Sequence, residues 1–354
     1  MKVDNVWITT RTLPRRDRQW QTSSYKASEV VGLYVGLEVE GVLAVGASCA
    51  HPRSLPPEVM TQQVEEVLRP ALEGRELEEL HAVLGGLTGL HSRTRLAVDL
   101  ALHDLVGKRA VLPAEVVWGG PVRDRVHVMR MVGLKEPEAV TDFVAPLYDA
   151  GFRAFKIKIG DGVDRDVQRL RNVRRRFGDD VALSADANGH YSYEEGRALC
   201  EQVEELGLYC LEQPLGYDDV DGMVRLRAGT SVRLMADQMV RSARDAARIA
   251  GAGAADLISL KITKAGSIAE AVRIIDVCSA FGVQVHLGGC AGPSIVDSAI
   301  ARLALAHTDI SEYVEAGESL ALVDDQIGGS VFEGADVLSD GRPGLGGRST
   351  VFES

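Results

Sequence analysis

The segment Phe155-Lys156-Ile157-Lys158-Ile159-Gly160 places two lysines two residues apart in an otherwise apolar run. Side chains alternate faces along a strand, so Lys156 and Lys158 share one face, while Phe155, Ile157 and Ile159 share the other. By itself this pattern fits a strand with one wet face. Further along the chain, acids close similar apolar runs: Asp186 with Asn188 in SADANG, Glu212 in LEQP and Asp237 in ADQ. Lys261 follows in LKITKAG, His286 in VQVHLGG, and Glu315 and Glu318 in EYVEAGE. If the runs are neighbouring strands, Asp186, Glu212 and Asp237 bring three carboxylates into one small volume. Such a cluster needs a cation. Oxygen donors without cysteine or histidine suit Mg²⁺, with Mn²⁺ as the alternative. A lysine beside other positive charge loses its proton more readily, so Lys158, crowded by Lys156, becomes a candidate base. Two lysine bases flanking a cation suit removal of a proton from the carbon next to a carboxylate, with the cation holding the enolate charge.

The elements that must position these residues recur every 25–28 residues or so from residue 126 onward, a period that signals a repeated unit. Strand candidates are 126–134, 152–160, 181–189, 208–215, 233–239, 256–266, 283–290 and 312–318. Helical segments fit the gaps; examples are 136–151, 191–207 and 267–282, and several open at Ser, Asp or Pro and close at Gly. Eight strands and seven helices read as an α/β fold, a (β/α)₇β modified TIM barrel. A doubly wound open sheet is the alternative, but no G-x-G-x-x-G follows the first strand. In such a barrel the strands are covered on both faces, so a solvent-facing explanation of Lys156 and Lys158 loses its basis.

The first 122 residues read as an α+β capping domain, with a strand meander at 3–13 and 30–48 and a last helix at 94–110. The polar stretch 14–28 is too long for a tight turn and is a candidate functional loop. The barrel spans 123–327, and the glycine-rich tail 328–354 is expected to pack back on the capping domain.

The chain has 354 residues, with a formal net charge of −12 and ordinary globular composition. The acidic balance argues against a nucleic-acid partner. No run approaches the roughly 20 apolar residues of a membrane span. The basic run 169–177 sets Leu170, Val173 and Phe177 at helical spacing, so its arginines read as a solvated helix face. Five scattered cysteines without C-x-x-C spacing suit a reduced cytoplasmic setting and argue against cysteine-bound zinc.

The ordered set Lys-x-Lys, Asp-x-Asn, Glu, Asp, Lys resembles the enolase superfamily, in particular its muconate-lactonizing-enzyme subgroup. KIKIG, SADANG, LEQP, ADQ and LKITKAG are similar to the successive strand motifs of that subgroup, and 100–120 is similar to its link from capping domain to barrel. The resemblance implies Asp186, Glu212 and Asp237 as metal ligands, and Lys158 and Lys261 as the acid–base pair with Lys156 as electrostatic partner. Lys264 does not match the base position and reads as a loop lysine. A histidine–aspartate pair of the mandelate-racemase type is not matched, because the sixth strand carries Lys261. Departures from the pattern are Gln238 after Asp237, KAGS in place of a glycine pair, and the lack of Asp-x-Asp after the last strand, which argues against dipeptides.

The resemblance also implies a capping domain that closes over the barrel and selects substrate. Trp20 and His51 are then candidate lid contacts, Trp20 by cation–π attraction to an amine, and Asn188, His286 and Glu315 are further candidate substrate contacts. The implied activity is racemisation or epimerisation of an amino acid or N-substituted amino acid, a small-molecule carboxylate, in a homo-oligomeric enzyme. Dehydration of a β-hydroxy amino acid such as a hydroxyproline, and cycloisomerisation, use the same residues. A non-catalytic ligand-binding barrel is the remaining alternative.

Overall fold

The computed structural model describes residues 2–51, 54–323, 325 and 328–352. The chain-end residues 353–354 and the barrel limit at 326–327 lie outside them. Three antiparallel strands open the chain: β1 (Asn5–Pro14), β2 (Glu29–Val39) and β3 (Val42–Cys49). β3 lies against the long helix Ser92–Ala110 so closely that a Cβ on Gly46 would stand 2.1 Å from the Ala97 carbonyl oxygen and 2.3 Å from the Ala101 nitrogen. Asp104 of that helix accepts hydrogen bonds from the Val45 and Leu345 amides at 2.8 and 2.7 Å, so one buried carboxylate joins sheet, helix and C-terminal segment.

Eight parallel strands follow: β4 (Arg125–Val132), β5 (Ala154–Lys158), β6 (Ala182–Asp186), β7 (Cys210–Glu212), β8 (Leu234–Ala236), β9 (Leu257–Leu260), β10 (Gln284–Leu287) and β11 (Tyr313–Val314). Each of β4 to β9 pairs in parallel with the next. β11 pairs with β4, and the Ser311 and Glu315 amides donate to β10 carbonyls at 2.7 and 2.9 Å, which closes the barrel. Open-sheet topology is thereby excluded. The apolar faces of helices such as Val163–Phe177 and Ile268–Ala280 cover the barrel in one continuous core.

Two sequence expectations need correction. Arg169, read as part of a solvated helix face, is fully buried and pairs with Asp161 and Asp166 while donating to the Lys135 carbonyl. A guanidinium has enough donors to satisfy three oxygens at once, which makes its burial tolerable. The tail expected on the capping domain divides in two. A hairpin of β12 (Val331–Glu333) and β13 (Asp336–Leu338) adds antiparallel to β4, while Arg11 of β1 donates to the Val351 carbonyl at 2.9 Å.

The contact at Gly46 yields the first prediction. Gly46→Ala drives a methyl group into helix backbone that has no rotamer to yield, so it should cost about 1–3 kcal/mol. Urea unfolding of the variant beside the parent checks this; an unchanged midpoint would show that the sheet and helix separate freely.

Candidate active site

The strand register assembles the site. Lys158 stands opposite Asp186 across β5 and β6, and Asp186 opposite Glu212 across β6 and β7. Asp237 directly follows β8, and Lys261 directly follows β9. All of these residues lie at the C-terminal ends of the strands, where the loops of such a barrel converge. Lys158 donates to Asp186, and Lys156 to Glu212. Lys261 donates to Asp237 at 2.8 Å.

Lys264 corrects the sequence reading. It lies in a short helical turn, Ile262–Ala265, and its ammonium donates to the Asp237 carboxylate and carbonyl, both at 2.5 Å. The turn after β9 swings its side chain back over the barrel mouth, a reversal that strand spacing could not reveal. Lys156 also differs from expectation. It is 1% exposed and pairs with Glu315 as well as Glu212, so two carboxylates balance its charge. Although burial opposes its charge, Glu212 and Glu315 raise its pKa well above the ordinary lysine value.

Glu315 and His286, expected to touch substrate, lie beneath the cavity instead. Glu315 accepts from the Gly289 amide at 2.6 Å and lies 3.2 Å from His286 Nε2; His286 Nδ1 lies 3.2 Å from Ser311 Oγ. With both side chains buried inside the barrel and their polar atoms engaged, their role is to hold Lys156 and the strand ends. Burial lowers the His286 pKa, which favours the neutral ring. Asn188, with φ of 51°, donates from its backbone and side chain to Asp186 at 2.9 and 3.1 Å, and so orients that carboxylate while lining the cavity.

Burial opposes the charge on Asp237, but Lys261 and Lys264 hold its pKa well below the usual carboxylate range. Glu212 behaves oppositely: burial and then the Asp186 charge push it up to about 7. Its Oε1 is buried without a hydrogen-bond partner. As the side chains stand, each acid turns toward a lysine, and among the described residues no three acids converge on one point. The orphaned Glu212 oxygen and the repulsion among neighbouring acids nevertheless fit a hard divalent cation, which would satisfy both.

A cavity of about 920 Å³ lies between the capping domain and the barrel mouth. Lys158, Asp237, Lys261 and Lys264 line its floor, and Trp20, Tyr25 and His51 its roof. The loop 14–28 crosses the barrel rim: the Leu134 amide donates to Gln21 at 2.7 Å, and Lys135 pairs with Asp17 at 2.6 Å. Trp20 is buried, and the chain's own Arg15 lies over its ring, 4.1 Å from the centroid. His51 meets Tyr25 edge-on at 5.5 Å.

The family model described as enolase C-terminal domain-like matches residues 139–348. The chain belongs to the enolase superfamily. Among its relatives, the N-succinyl-L-Arg/Lys racemase of Bacillus cereus is 27% identical over 353 residues, covering 98% of this chain and 95% of that one. The solved structure of that racemase superposes with a TM-score of 0.93 at 25% identity, covering 100% of this chain and 97% of the other. A cis-3-hydroxy-L-proline dehydratase of Roseibium aggregatum is 27% identical over 363 residues, covering 98% and 96%. A dipeptide epimerase of Methylococcus capsulatus, solved with Mg and the dipeptide L-Arg-D-Lys, superposes with a TM-score of 0.91 at 25% identity, covering 98% and 99%. This superfamily member combines the capping domain and barrel of its structural neighbours, and its three acids and two lysines stand at the ends of five successive strands, β5 to β9.

Gln213 escaped the sequence reading. Its φ is 39°, its Oε1 accepts from the Asp237 amide at 3.0 Å, and its Nε2 donates to the Leu215 carbonyl at 2.9 Å. It lies inside the LEQP motif, beside the conspicuous Glu212, where a glutamine gives no signal of its own. Gln213→Ala leaves the Asp237 amide unpaired in a buried place, a loss of about 1–3 kcal/mol. Steady-state kinetics should show turnover falling at least 10-fold. If kcat is retained, Gln213 does not position Asp237.

Proposed function

We propose that this enzyme is a Mg²⁺-dependent racemase or epimerase of an amino acid or N-substituted amino acid. One observation carries the reading. In an eight-stranded barrel, four strands separate opposite walls, and Lys158 and Lys261 are carried at the ends of β5 and β9, four strands apart. Both ammonium-bearing side chains line the same cavity. A planar carbon held between them is open to one lysine on each face, as inversion of configuration requires. The similarity of the whole chain to a relative named as an N-succinyl-L-Arg/Lys racemase supports the same choice.

Asp186, Glu212 and Asp237 are the residues that would hold Mg²⁺, with Mn²⁺ as the alternative. When bound, the cation would supply positive charge to offset the negative charge that develops on the substrate carboxylate. One lysine, uncharged at Nζ, takes the proton from Cα. The opposite lysine, protonated at Nζ, returns one to the other face, and the two exchange roles in the reverse direction. Proton transfer by a positioned group contributes on the order of 10²–10⁴-fold. Lys156 remains charged and fixes Glu212 from below. The 14–28 lid, packed across the rim, excludes water from the reacting carbon.

Self-association and a reducing cytoplasmic setting complete the proposal. Five free cysteines suit the second. Among the described residues no helix is long and apolar enough to cross a membrane.

Incubating N-succinyl amino acids and dipeptides with the enzyme in D₂O and Mg²⁺ tests the reaction. Lys158→Ala and Lys261→Ala should each lower racemisation by about 10²-fold or more. Each should still exchange the Cα proton of one enantiomer, and the two variants should prefer opposite enantiomers by mass spectrometry. Loss of all exchange in both variants would refute one base per face. Loss of water from a hydroxyproline substrate, without exchange into recovered substrate, would favour the dehydratase reading.

A further inference from the structure

Two of the five cysteines meet across the seam between the two parts of the enzyme. Cys49 closes β3 of the capping sheet; Cys290 follows β10 of the barrel. Their sulfurs are 3.7 Å apart, although 241 positions separate them in the chain. Around them Leu13 and Val30 of the capping sheet pack on Ala291 and Leu322 of the barrel side. The contact is close on the backbone side too, since a Cβ on Gly292 would stand 3.2 Å from the Cys49 sulfur.

The pair has a cation. Arg93, at the start of the helix Ser92–Ala110, donates from Nη1 to the Cys49 sulfur at 2.9 Å and to the Cys49 carbonyl at 3.1 Å. Both cysteines and Arg93 line the 920 Å³ cavity, and Cys290 is only half-buried, so a small solute reaches it. The hydrogen bond from the Cys49 thiol, with help from the Arg93 charge and against burial, brings Cys290 down to about 5, the range of a reactive thiolate. Cys200, Cys210 and Cys278 are buried away from this seam, and burial pushes them up to about 11, 12 and 12. Nothing in the proton transfer at Cα uses a thiol.

We propose that Cys49 and Cys290 are an oxidisable pair, a redox latch that ties the capping domain to the barrel beside the active-site cavity. The oxidant is a hydroperoxide. The Cys290 thiolate attacks one peroxide oxygen, the O–O bond breaks, and the departing oxygen takes a proton to leave as water or an alcohol. Cys290 is then a sulfenic acid. The Cys49 sulfur gives up its proton and attacks the Cys290 sulfur, the S–O bond breaks, and the hydroxide released takes that proton to form water. Two thiols are oxidised and one hydroperoxide is reduced. The sulfurs must approach from 3.7 Å to about 2.05 Å, a movement within reach of side-chain rotation and a small shift of the 288–292 turn. A dithiol reverses the bond by exchange. With the latch closed, the capping sheet cannot swing away from the barrel rim, and substrate exchange through the cavity stops.

Hydrogen peroxide added to the full-length enzyme, with rapid acid quenching and peptide mapping, tests this. The expected result is a disulfide-linked peptide containing Cys49 and Cys290, formed before any change at Cys200, Cys210 or Cys278. Backbone hydrogen exchange of residues 14–28 should slow at least 10-fold in the oxidised enzyme and recover with dithiothreitol, a readout that needs no substrate. Cys49→Ser should give no linked peptide and should instead leave Cys290 as a dimedone-reactive sulfenic acid. If that variant does not fold, iodoacetamide labelling of the parent serves in its place, and Cys290 should label first. Absence of the linked peptide, faster reaction of a buried cysteine, or a linked peptide with unchanged exchange at 14–28 would each overturn the latch.

Discussion

Four carboxylates and four ammonium groups share the interior and mouth of one barrel: Asp186, Glu212, Asp237 and Glu315 against Lys156, Lys158, Lys261 and Lys264. All eight are largely withdrawn from water, where an unpaired charge is costly and a paired one breaks even at best. The mutual balance of these charges is the constraint on which the rest of the site depends. It requires a register that sets Lys158, Asp186 and Glu212 in one row, and a turn after β9 that folds Lys264 back toward Asp237. It also gives the supporting residues their work. Asn188 holds the Asp186 carboxylate, and Gln213 the backbone amide of Asp237, by hydrogen bonds from uncharged side chains that add no charge to a crowded place.

The balance is uneven from place to place, and that unevenness is where chemistry becomes available. Glu315 and Lys156 sit low in the barrel, fully engaged, and act as a fixed foundation. Glu212 stands above them with one oxygen unsatisfied. Lys158 and Lys261 stand at the cavity wall on opposite sides, each tied to the structure through a single carboxylate. Their ammonium groups can therefore rotate toward a bound carbon without abandoning a network. The capping domain completes this arrangement from above. Its 14–28 loop spans the rim, and Arg15 and Trp20 within it stack on each other. The seam at Cys49 and Cys290 lies at the edge of the same closure.

Much of this was legible in the sequence. Seven of the eight barrel strands fall inside the segments marked by their apolar runs, and β4 starts one residue before its own, because a strand covered on both faces leaves a contiguous hydrophobic signature. The acids and bases at the strand ends stood out for a related reason: a charge that closes an apolar run can have no bland explanation once the strand is buried. Other features were silent. Arg169 sat in a run of arginines at helical spacing, and only the packing of residues 135, 161 and 166 around it distinguishes it from its solvated neighbours. His286 and Glu315 ended strands just as Asp237 did, yet they face the barrel interior beneath the cavity.

The sequence by itself determined the order of elements, the capping-plus-barrel division and the succession of chemically able residues, since these depend on local periodicity and on residue type along one strand. Tertiary structure alone decided which of those residues meet. That Lys264 and Gln213 serve Asp237, that Lys156 is neutralised by Glu315, and that Cys49 comes within 3.7 Å of Cys290 all depend on groups distant in the chain. The physical reason is that strand periodicity sets which way a side chain points from its own backbone. What it finds there is set by barrel closure, by the turns beyond each strand and by the domain laid over the mouth.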